Sequence, residues 1–146
     1  TDLQSDCAPL HGTIQRLLDA GITIHCLRDC TRGGLATTLV EIAKARRLRL
    51  HLDGPSIPVR DDVRGACEML GLDPHYVANE GRFIAFVPAA EAERALALLH
   101  QDPQGAGAVR IGEVLDDPSG LLTLRSEIGS TRVLDMLSGE QLPRIC

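Results

Sequence analysis

The stretch ITIHCLRDCTRGGLATTL, residues 22–39, decides the fold class of this 146-residue chain. Its first part, Ile22 to Leu27, is apolar and rich in β-branched residues, which predicts a buried strand. After the glycine pair Gly33-Gly34, apolar residues recur at helical spacing, which predicts that a helix begins near Leu35. A strand that leads directly into a helix indicates a fold that mixes α and β elements.

The same alternation continues on both sides of this stretch, with no internal repeat and no low-complexity segment. Helical spacing predicts helices after Pro9, up to Gly71 and after Pro88. Apolar patterns typical of strands occur at 48–52, 82–87, 109–115 and 121–125. Residues 132–137 fit either a strand or a short helix, and a polar tail without periodicity follows Gly139.

The composition favours one folded domain with a single core, because 44% of the residues are hydrophobic and 24% are charged. Aromatic residues make up only 2% and Trp is absent, so the core must be aliphatic and a base-stacking surface is hard to build. Lys and Arg total 15 against 20 Asp and Glu, and the resulting charge of −5 disfavours a phosphate backbone. Nucleic acid is therefore not an expected partner.

The sequence also indicates a location. The longest apolar run, residues 83–90, is far shorter than the about 20 residues that cross a bilayer, so no membrane contact is expected. Residues 1–6 lack the parts of a secretory signal, and the absence of an initiating Met suggests a longer parent chain. Five cysteines without CxxC spacing argue against a disulfide framework, so a reducing cytoplasm is the simpler location.

Several polar and sulfur-bearing residues are expected to be structural. The five histidines show no HxxxH or HExxH spacing, and no metal site is expected. Cys7 and Cys67 lie in apolar helical patterns and are expected to be small core residues. Asp73-Pro74 is expected to open a helical turn.

The junction between the first strand and the helix that follows it fits two interpretations. A helix that starts at Gly33-Gly34 offers backbone N–H groups to an anion, to which Arg32 adds a charge-assisted bond. Asp29 and Thr31 would then cap the helix or hold a metal-bound water. The other interpretation is a tight turn with a capped helix, since the spacing matches neither GxxxxGK[ST] nor GxGxxG.

A second candidate is Asn79-Glu80-Gly81, which the pattern places just before the strand at 82–87. A carboxylate at a strand entrance is well placed to act as a general base if it faces a cleft. The alternative is an ordinary solvated glutamate in a turn.

The third candidate is the last residue, Cys146, because a free thiol at an unpatterned terminus is an oxidation liability. From Ser138 the tail extends at most about 30 Å, enough to carry sulfur from one active site to another. Arg144 would steer this arm or stabilise the thiolate. The alternative is that this cysteine is incidental.

Three motifs together resemble one known family. Residues 29–35 (DCTRGGL), residues 76–81 (YVANEG) and the ending Pro143-Arg144-Ile145-Cys146 resemble HypE, a family of hydrogenase maturation factors. The resemblance runs from about Ser5 to the last residue. It covers the C-terminal domain that this family shares with aminoimidazole ribonucleotide (AIR) synthetase, selenophosphate synthetase and thiamine monophosphate kinase. The ending decides the assignment, because the glycine motif occurs in varied form across the superfamily.

The resemblance implies an α+β fold in which a mixed β-sheet is covered by helices, like the C-terminal domain of AIR synthetase (PurM). It implies a domain over residues 1–137 and a flexible tail over 138–146 that carries the reactive cysteine. It also implies that the N-terminal domain, which makes most contacts to ATP and Mg²⁺, is absent. This fragment alone is therefore expected to fold but not to turn over ATP.

The resemblance further implies a reaction. Cys146 would accept a carbamoyl group from HypF, and ATP would phosphorylate the carboxamide oxygen. Glu80 would remove nitrogen protons to leave a thiocyanate, while Asp29, Thr31, Arg32, Gly33 and Gly34 would contribute to nucleotide binding. Cyanide would then pass to iron held by the HypC–HypD pair, and the full-length protein would be a cytoplasmic homodimer.

Two alternatives belong to other classes. One is the C-terminal domain of a related phosphotransferase, such as a selenophosphate synthetase or a thiamine monophosphate kinase, which needs no reactive terminal thiol. The other is a non-catalytic interaction module whose tail only docks to a partner.

Overall fold

The computed structural model describes residues 5–136, and they fold as two compact units. The first unit holds the described residues up to Cys30 together with Asn79–Arg110. The second unit holds Thr31–Ala78 and the described residues from Ile111 onward. Each unit is therefore built from two separate segments of the chain.

All the predicted helices are present. The described residues form four α-helices: α1 (His11–Asp19), α2 (Gly34–Arg46), α3 (Asp61–Leu70) and α4 (Ala92–Leu99). Helix α3 ends at Gly71 as predicted, because this glycine adopts the left-handed conformation that closes a helix, with φ of 68°. Pro88 was expected in the first turn of α4, but it precedes a 3-10 turn, Ala89–Glu91, that leads into the helix.

The strands match the predictions in number better than in bounds. The described residues form β1 (Cys26–Cys30), β2 (Arg49–Asp53), β3 (Asn79–Phe86), β4 (Gly112–Leu115), β5 (Leu122–Arg125) and β6 (Thr131–Leu134). Strand β1 begins at Cys26 instead of Ile22, and β3 begins at Asn79, three residues before the predicted start. The two strands pair from Cys26 opposite Phe86 onward, so their bounds follow their pairing and not the apolar run.

In the first unit, β1 and β3 form a two-stranded antiparallel sheet, and α1 packs against α4. The buried core consists of Leu17, Ile22, Ala95 and Leu99, with Phe83 of β3 packed against it. A two-stranded sheet is marginal alone, so this cover of aliphatic side chains is what stabilises it.

The second unit contains a four-stranded mixed sheet in the order β4-β2-β5-β6. Strands β2 and β5 are parallel, while the other neighbours are antiparallel. Helix α2 packs against β2 and β5. In β2, Leu50 and Leu52 are buried and alternate with half-buried polar residues, as predicted for a strand with one wet face. The segment 132–137 fits either a strand or a short helix by its pattern, and its first three residues belong to the edge strand β6.

The α+β prediction, with mixed sheet and covering helices, is confirmed. Within residues 5–136, no helix combines the length and the apolar character that a bilayer crossing requires. The division at residue 137 stays a prediction, because residues 137–146 lie outside the described part of the chain.

Candidate functional site

The glycine junction has the predicted course but not the predicted cap. Strand β1 ends at Cys30 and α2 begins at Gly34, with Gly33 as its N-cap at φ 74°. No side chain caps this helix, so capping by Asp29 or Thr31 was wrong. The carbonyl of Thr31 instead accepts a hydrogen bond from the backbone N–H of Gly34 at 3.4 Å.

The two glycines are required by the protein's own packing. A Cβ atom on Gly34 would lie 2.6 Å from the carbonyl oxygen of Val77 and 2.7 Å from that of His75. A Cβ atom on Gly33 would collide with the side chain of Thr37. Both residues also have positive φ, which disfavours any side chain. The glycine pair therefore lets residues 75–77 lie directly on the start of α2.

The start of α2 retains features that suit a phosphate. The first N–H groups of a helix have no acceptor within the helix, and the dipole is positive there. Arg32 is exposed directly before this point. The hydroxyl oxygen of Thr37 is buried and has no hydrogen-bond partner among the described residues. These groups fit the phosphates of a nucleotide through N–H and O–H donors.

The turn that packs on Gly34 carries a carboxylate with two partners. Asp73 lies 2.5 Å from Nδ1 of His75 and 2.8 Å from the guanidinium of Arg132. The contact with His75, supported by Arg132, holds the pKa of Asp73 well below its usual range, although partial burial acts against this. Asp73 also accepts from the backbone N–H of His75, so it opens the 3-10 turn Pro74–Tyr76 as predicted.

The same turn holds the chain that follows β6. The hydroxyl of Tyr76 donates to the carbonyl oxygen of Asp135 at 2.8 Å, and Lys44 of α2 lies 2.7 Å from the Asp135 carboxylate. Partial burial raises the pKa of Tyr76, which keeps its hydroxyl a donor at neutral pH. The last described residues are therefore fixed to the last turn of α2 through Lys44, and to the turn that packs on Gly34 through Tyr76.

Glu80 was expected to precede β3, but it lies within this strand, at a bulge. Cys30 pairs with Asn79, whereas the preceding Asp29 pairs with Phe83. One step along β1 thus corresponds to four steps along β3, and Glu80 and Gly81 are not paired with residues of β1. A bulge re-aims side chains, and Glu80 is exposed on it.

A crossing segment holds this bulge. The backbone N–H of Glu80 donates to Oδ2 of Asp6 at 3.0 Å. A Cβ atom on Gly81 would collide with the carbonyl oxygen of Asp6, so only glycine fits there. The side-chain oxygen of Asn79 is buried and has no partner among the described residues. Asp6 was not predicted from the sequence, because no local pattern indicates a contact between residues that are 74 positions apart.

The predicted site residues fall into three places. Asp29 and Glu80 lie on the two-stranded sheet of the first unit, whereas residues 31–34 belong to the second unit. Cys146 lies outside the described residues. Within residues 5–136, no group of three His, Cys, Asp or Glu side chains is placed to hold a metal ion.

The other cysteines differ in environment. Cys67 is buried in α3 as predicted, but Cys7 is exposed and precedes the first helix, so its assignment to the core was wrong. Cys30 is buried, and desolvation together with the charge of Asp29 raises its pKa to about 11. This thiol therefore stays protonated at neutral pH.

Comparison with known proteins gives the family. Residues 3–125 match the model of the AIR synthase related protein, C-terminal domain. The chain belongs to this family. It is 50% identical to carbamoyl dehydratase HypE of Azotobacter vinelandii over 99% of its length, and 47% identical to that of Rhodobacter capsulatus over 100%. It spans only 42% and 43% of those two relatives.

Solved structures agree with this assignment. A crystal structure of hydrogenase maturation protein HypE matches with a TM-score of 0.92 at 45% identity, covering 100% of this chain and 47% of that one. HypE in complex with ATP matches with a TM-score of 0.90 at 45% identity, covering 99% and 44%. A HypE–HypF complex matches at 0.86 and 38% identity, covering 94% and 44%. The resemblance to HypE and to the AIR synthetase C-terminal fold is confirmed.

The packing at Gly34 predicts a large loss of stability for Gly34→Ala. Its Cβ atom would meet two backbone carbonyls at positive φ, so we expect the free energy of unfolding to fall by at least about 2 kcal/mol. Gly65→Ala in α3 is the control, because its Cβ meets nothing within 4 Å. It should stabilise the chain by about 0.5–1 kcal/mol. Urea denaturation measures both, and equal effects of the two changes would contradict the packing argument.

The low pKa of Asp73 predicts acid sensitivity. Since this pKa lies below its ordinary value of about 3.9, Asp73 contributes stability above that pH and loses it as the pH falls towards the folded-state pKa. Asp73→Asn should therefore weaken the decline in unfolding free energy below about pH 4. Asp116→Asn, an exposed aspartate after β4, is the control. An unchanged acid profile in Asp73→Asn, measured by denaturation at several pH values, would refute this role.

Proposed function

We propose that this chain is the C-terminal domain of an ATP-dependent carbamoyl dehydratase that makes the cyanide ligand of [NiFe]-hydrogenase iron. The carrying observation is the match of nearly the whole chain, at 47–50% identity, to proteins named carbamoyl dehydratase HypE. The ending Pro143-Arg144-Ile145-Cys146 supports the same assignment. The selenophosphate and thiamine-type alternatives have no use for a terminal thiol.

Cys146 is the proposed carrier. Its sulfur takes the carbamoyl group, which gives a thiocarboxamide, S–C(=O)–NH₂. Among the described cysteines, Cys30 and Cys67 are buried, and the raised pKa of Cys30 disfavours its thiolate. Of the two remaining described cysteines, Cys7 is exposed and Cys26 is half-buried.

Glu80 is the proposed general base. Dehydration breaks the carbon–oxygen bond of the thiocarboxamide and removes both protons from nitrogen, leaving S–C≡N. ATP activates the oxygen by phosphorylation, so that it departs as phosphate and the carbamoyl group loses the elements of one water. The nitrogen is a weak acid, so a carboxylate within hydrogen-bond reach must accept one of its protons as the oxygen is activated, and the departing phosphate takes the other. The exposed position of Glu80 on a held bulge supports this role.

The start of α2 is the proposed phosphate contact. Charge that develops on a transferring phosphoryl group is stabilised by fixed N–H donors and by Arg32. The buried, unpartnered hydroxyl of Thr37 adds a further donor beside Gly33. Asp29 and Thr31 flank this site in the chain and complete the proposed nucleotide-binding set. The rest of the full-length protein supplies the remaining ATP contacts and the Mg²⁺ ligands.

The partners follow from the same proposal. HypF delivers the carbamoyl group, and a solved HypE–HypF complex similar to this chain supports that pairing. The HypC–HypD pair receives cyanide on its iron, and the full-length protein acts as a cytoplasmic homodimer. The interaction-module alternative predicts binding to HypF without transfer of a carbamoyl group.

Cys146→Ser is expected to abolish carbamoylation of the full-length protein. We would incubate each variant with HypF, carbamoyl phosphate and ATP and measure its intact mass. Cys7→Ser, which removes an exposed thiol, is the control and should gain the adduct like the wild type. An adduct on Cys146→Ser would reject the carrier role, and HypF binding without any adduct on the wild type would favour the interaction module.

Glu80→Gln is expected to accept the carbamoyl group but to lose water about 10²–10⁴-fold more slowly when ATP is added. The amide side chain keeps the size of the carboxylate but is not a base. Glu127→Gln, an exposed glutamate between β5 and β6, is the control and should dehydrate at the wild-type rate. Time-resolved mass spectrometry follows the loss of one water. Wild-type dehydration by Glu80→Gln would remove this residue from the mechanism.

A further inference from the structure

The bulge in β3 leaves Glu80 and Gly81 outside the register of the sheet. They fall between the pairs Cys30–Asn79 and Asp29–Phe83, so neither is paired with a residue of β1. In a two-stranded antiparallel ladder only alternate N–H groups point at the neighbouring strand, and a bulge disrupts this pattern. The N–H of Glu80 donates instead to the side chain of Asp6, at 3.0 Å.

We propose that Asp6 is a positioning residue for Glu80: its carboxylate accepts the backbone N–H of Glu80 and fixes the direction in which the proposed base points. This inference rests on the proposed function, since it concerns the geometry of the dehydration step. Asp6 touches neither substrate nor nucleotide in this role. It acts through the backbone of Glu80.

Two contacts, not one, define the peptide geometry. The carboxylate of Asp6 holds the N–H on one side of Glu80, while its carbonyl oxygen occupies the place of a Cβ atom on Gly81. The backbone N of Ala8 lies 3.3 Å from the same Cβ position, so the crossing segment lies closely over residue 81. With its N–H held and its next residue covered, the Cα–Cβ bond of Glu80 has a fixed direction.

An exposed base on an unheld bulge would move. Glu80 and Gly81 have no pair in the β1–β3 register, and a misplacement of about 1 Å in a catalytic group lowers rates by up to about 10²-fold. A charged acceptor makes the stronger bond to an N–H, which explains a carboxylate at position 6. The side-chain amide oxygen of an asparagine retains an acceptor of the same reach.

The test compares Asp6→Ala, which removes the acceptor, with Asp6→Asn, which keeps it. In the full-length protein carbamoylated by HypF, we expect Asp6→Ala to slow ATP-dependent loss of water by about 10–100-fold, with KM for ATP unchanged. Asp6→Asn should lie within about threefold of the wild type. Carbamoylation of Cys146 should be equal in all variants.

Ser5→Ala is the matched control, because the Ser5 hydroxyl accepts from the backbone N–H of Cys7 in the same segment without reaching Glu80. Its dehydration rate should equal that of the wild type. Thermal melting should give similar midpoints for all three variants. A purely structural role would lower the midpoint of Asp6→Ala and affect carbamoylation as well as dehydration.

The outcomes separate the two proposals. Wild-type dehydration by Asp6→Ala, or an equal loss in Asp6→Asn, overturns the positioning role even if Glu80→Gln is inactive. Wild-type dehydration by Glu80→Gln overturns the proposed base itself, and with it the purpose of Asp6. Loss in Asp6→Ala with recovery in Asp6→Asn supports both.

Discussion

The first unit depends on the interruption of the β1–β3 ladder between Asp29 and Cys30. In a regular antiparallel pair, residue 80 would face a residue of β1, and simple alternation would fix the direction of its side chain. The three extra residues of β3 free that position from the sheet, and the crossing segment at Asp6 holds it again in a new direction. The crossing segment can lie over the bulge only if residue 81 is a glycine, because any side chain there would occupy the place of the Asp6 carbonyl. The position of the proposed base thus depends on the three extra residues that β3 has relative to β1.

In the second unit, a close backbone approach at Gly34 has a comparable effect. It lets the turn at residues 75–77 lie on the start of α2, and the Asp73 carboxylate then joins that turn to Arg132 of β6. Tyr76 holds Asp135 in the same way. The residues that lead towards Cys146 therefore start from a point that is held by the turn at residues 75–77. The ten residues after Met136 extend at most about 35 Å from that point.

The sequence predicts what local patterns encode. Helix α3 ends where Gly71 permits the left-handed conformation, and this local signal was sufficient to predict its end. The bounds of β1 and β3 were wrong because they depend on pairing between segments about 50 residues apart, which periodicity does not show. Glu80 was identified as a candidate from its neighbours and the family motif, but the bulge on which it lies was not predicted. Asp6 and Arg132 carry no local signal at all, since each meets its partner across a long separation.

The environments of the described thiols fit the proposed carrier role of Cys146. A sulfur that accepts a carbamoyl group attacks as thiolate, and an ordinary cysteine, with a pKa near 8.5, has a few per cent of that form at neutral pH. The pKa of about 11 for Cys30 lowers this fraction by roughly two further powers of ten. Cys30 lies one residue from Asp29 and opposite Asn79, next to the proposed base in β3. A reactive thiol at this position would compete for the carbamoyl group. Burial suppresses the reactivity of Cys30, so this thiol does not compete with the proposed carrier, Cys146.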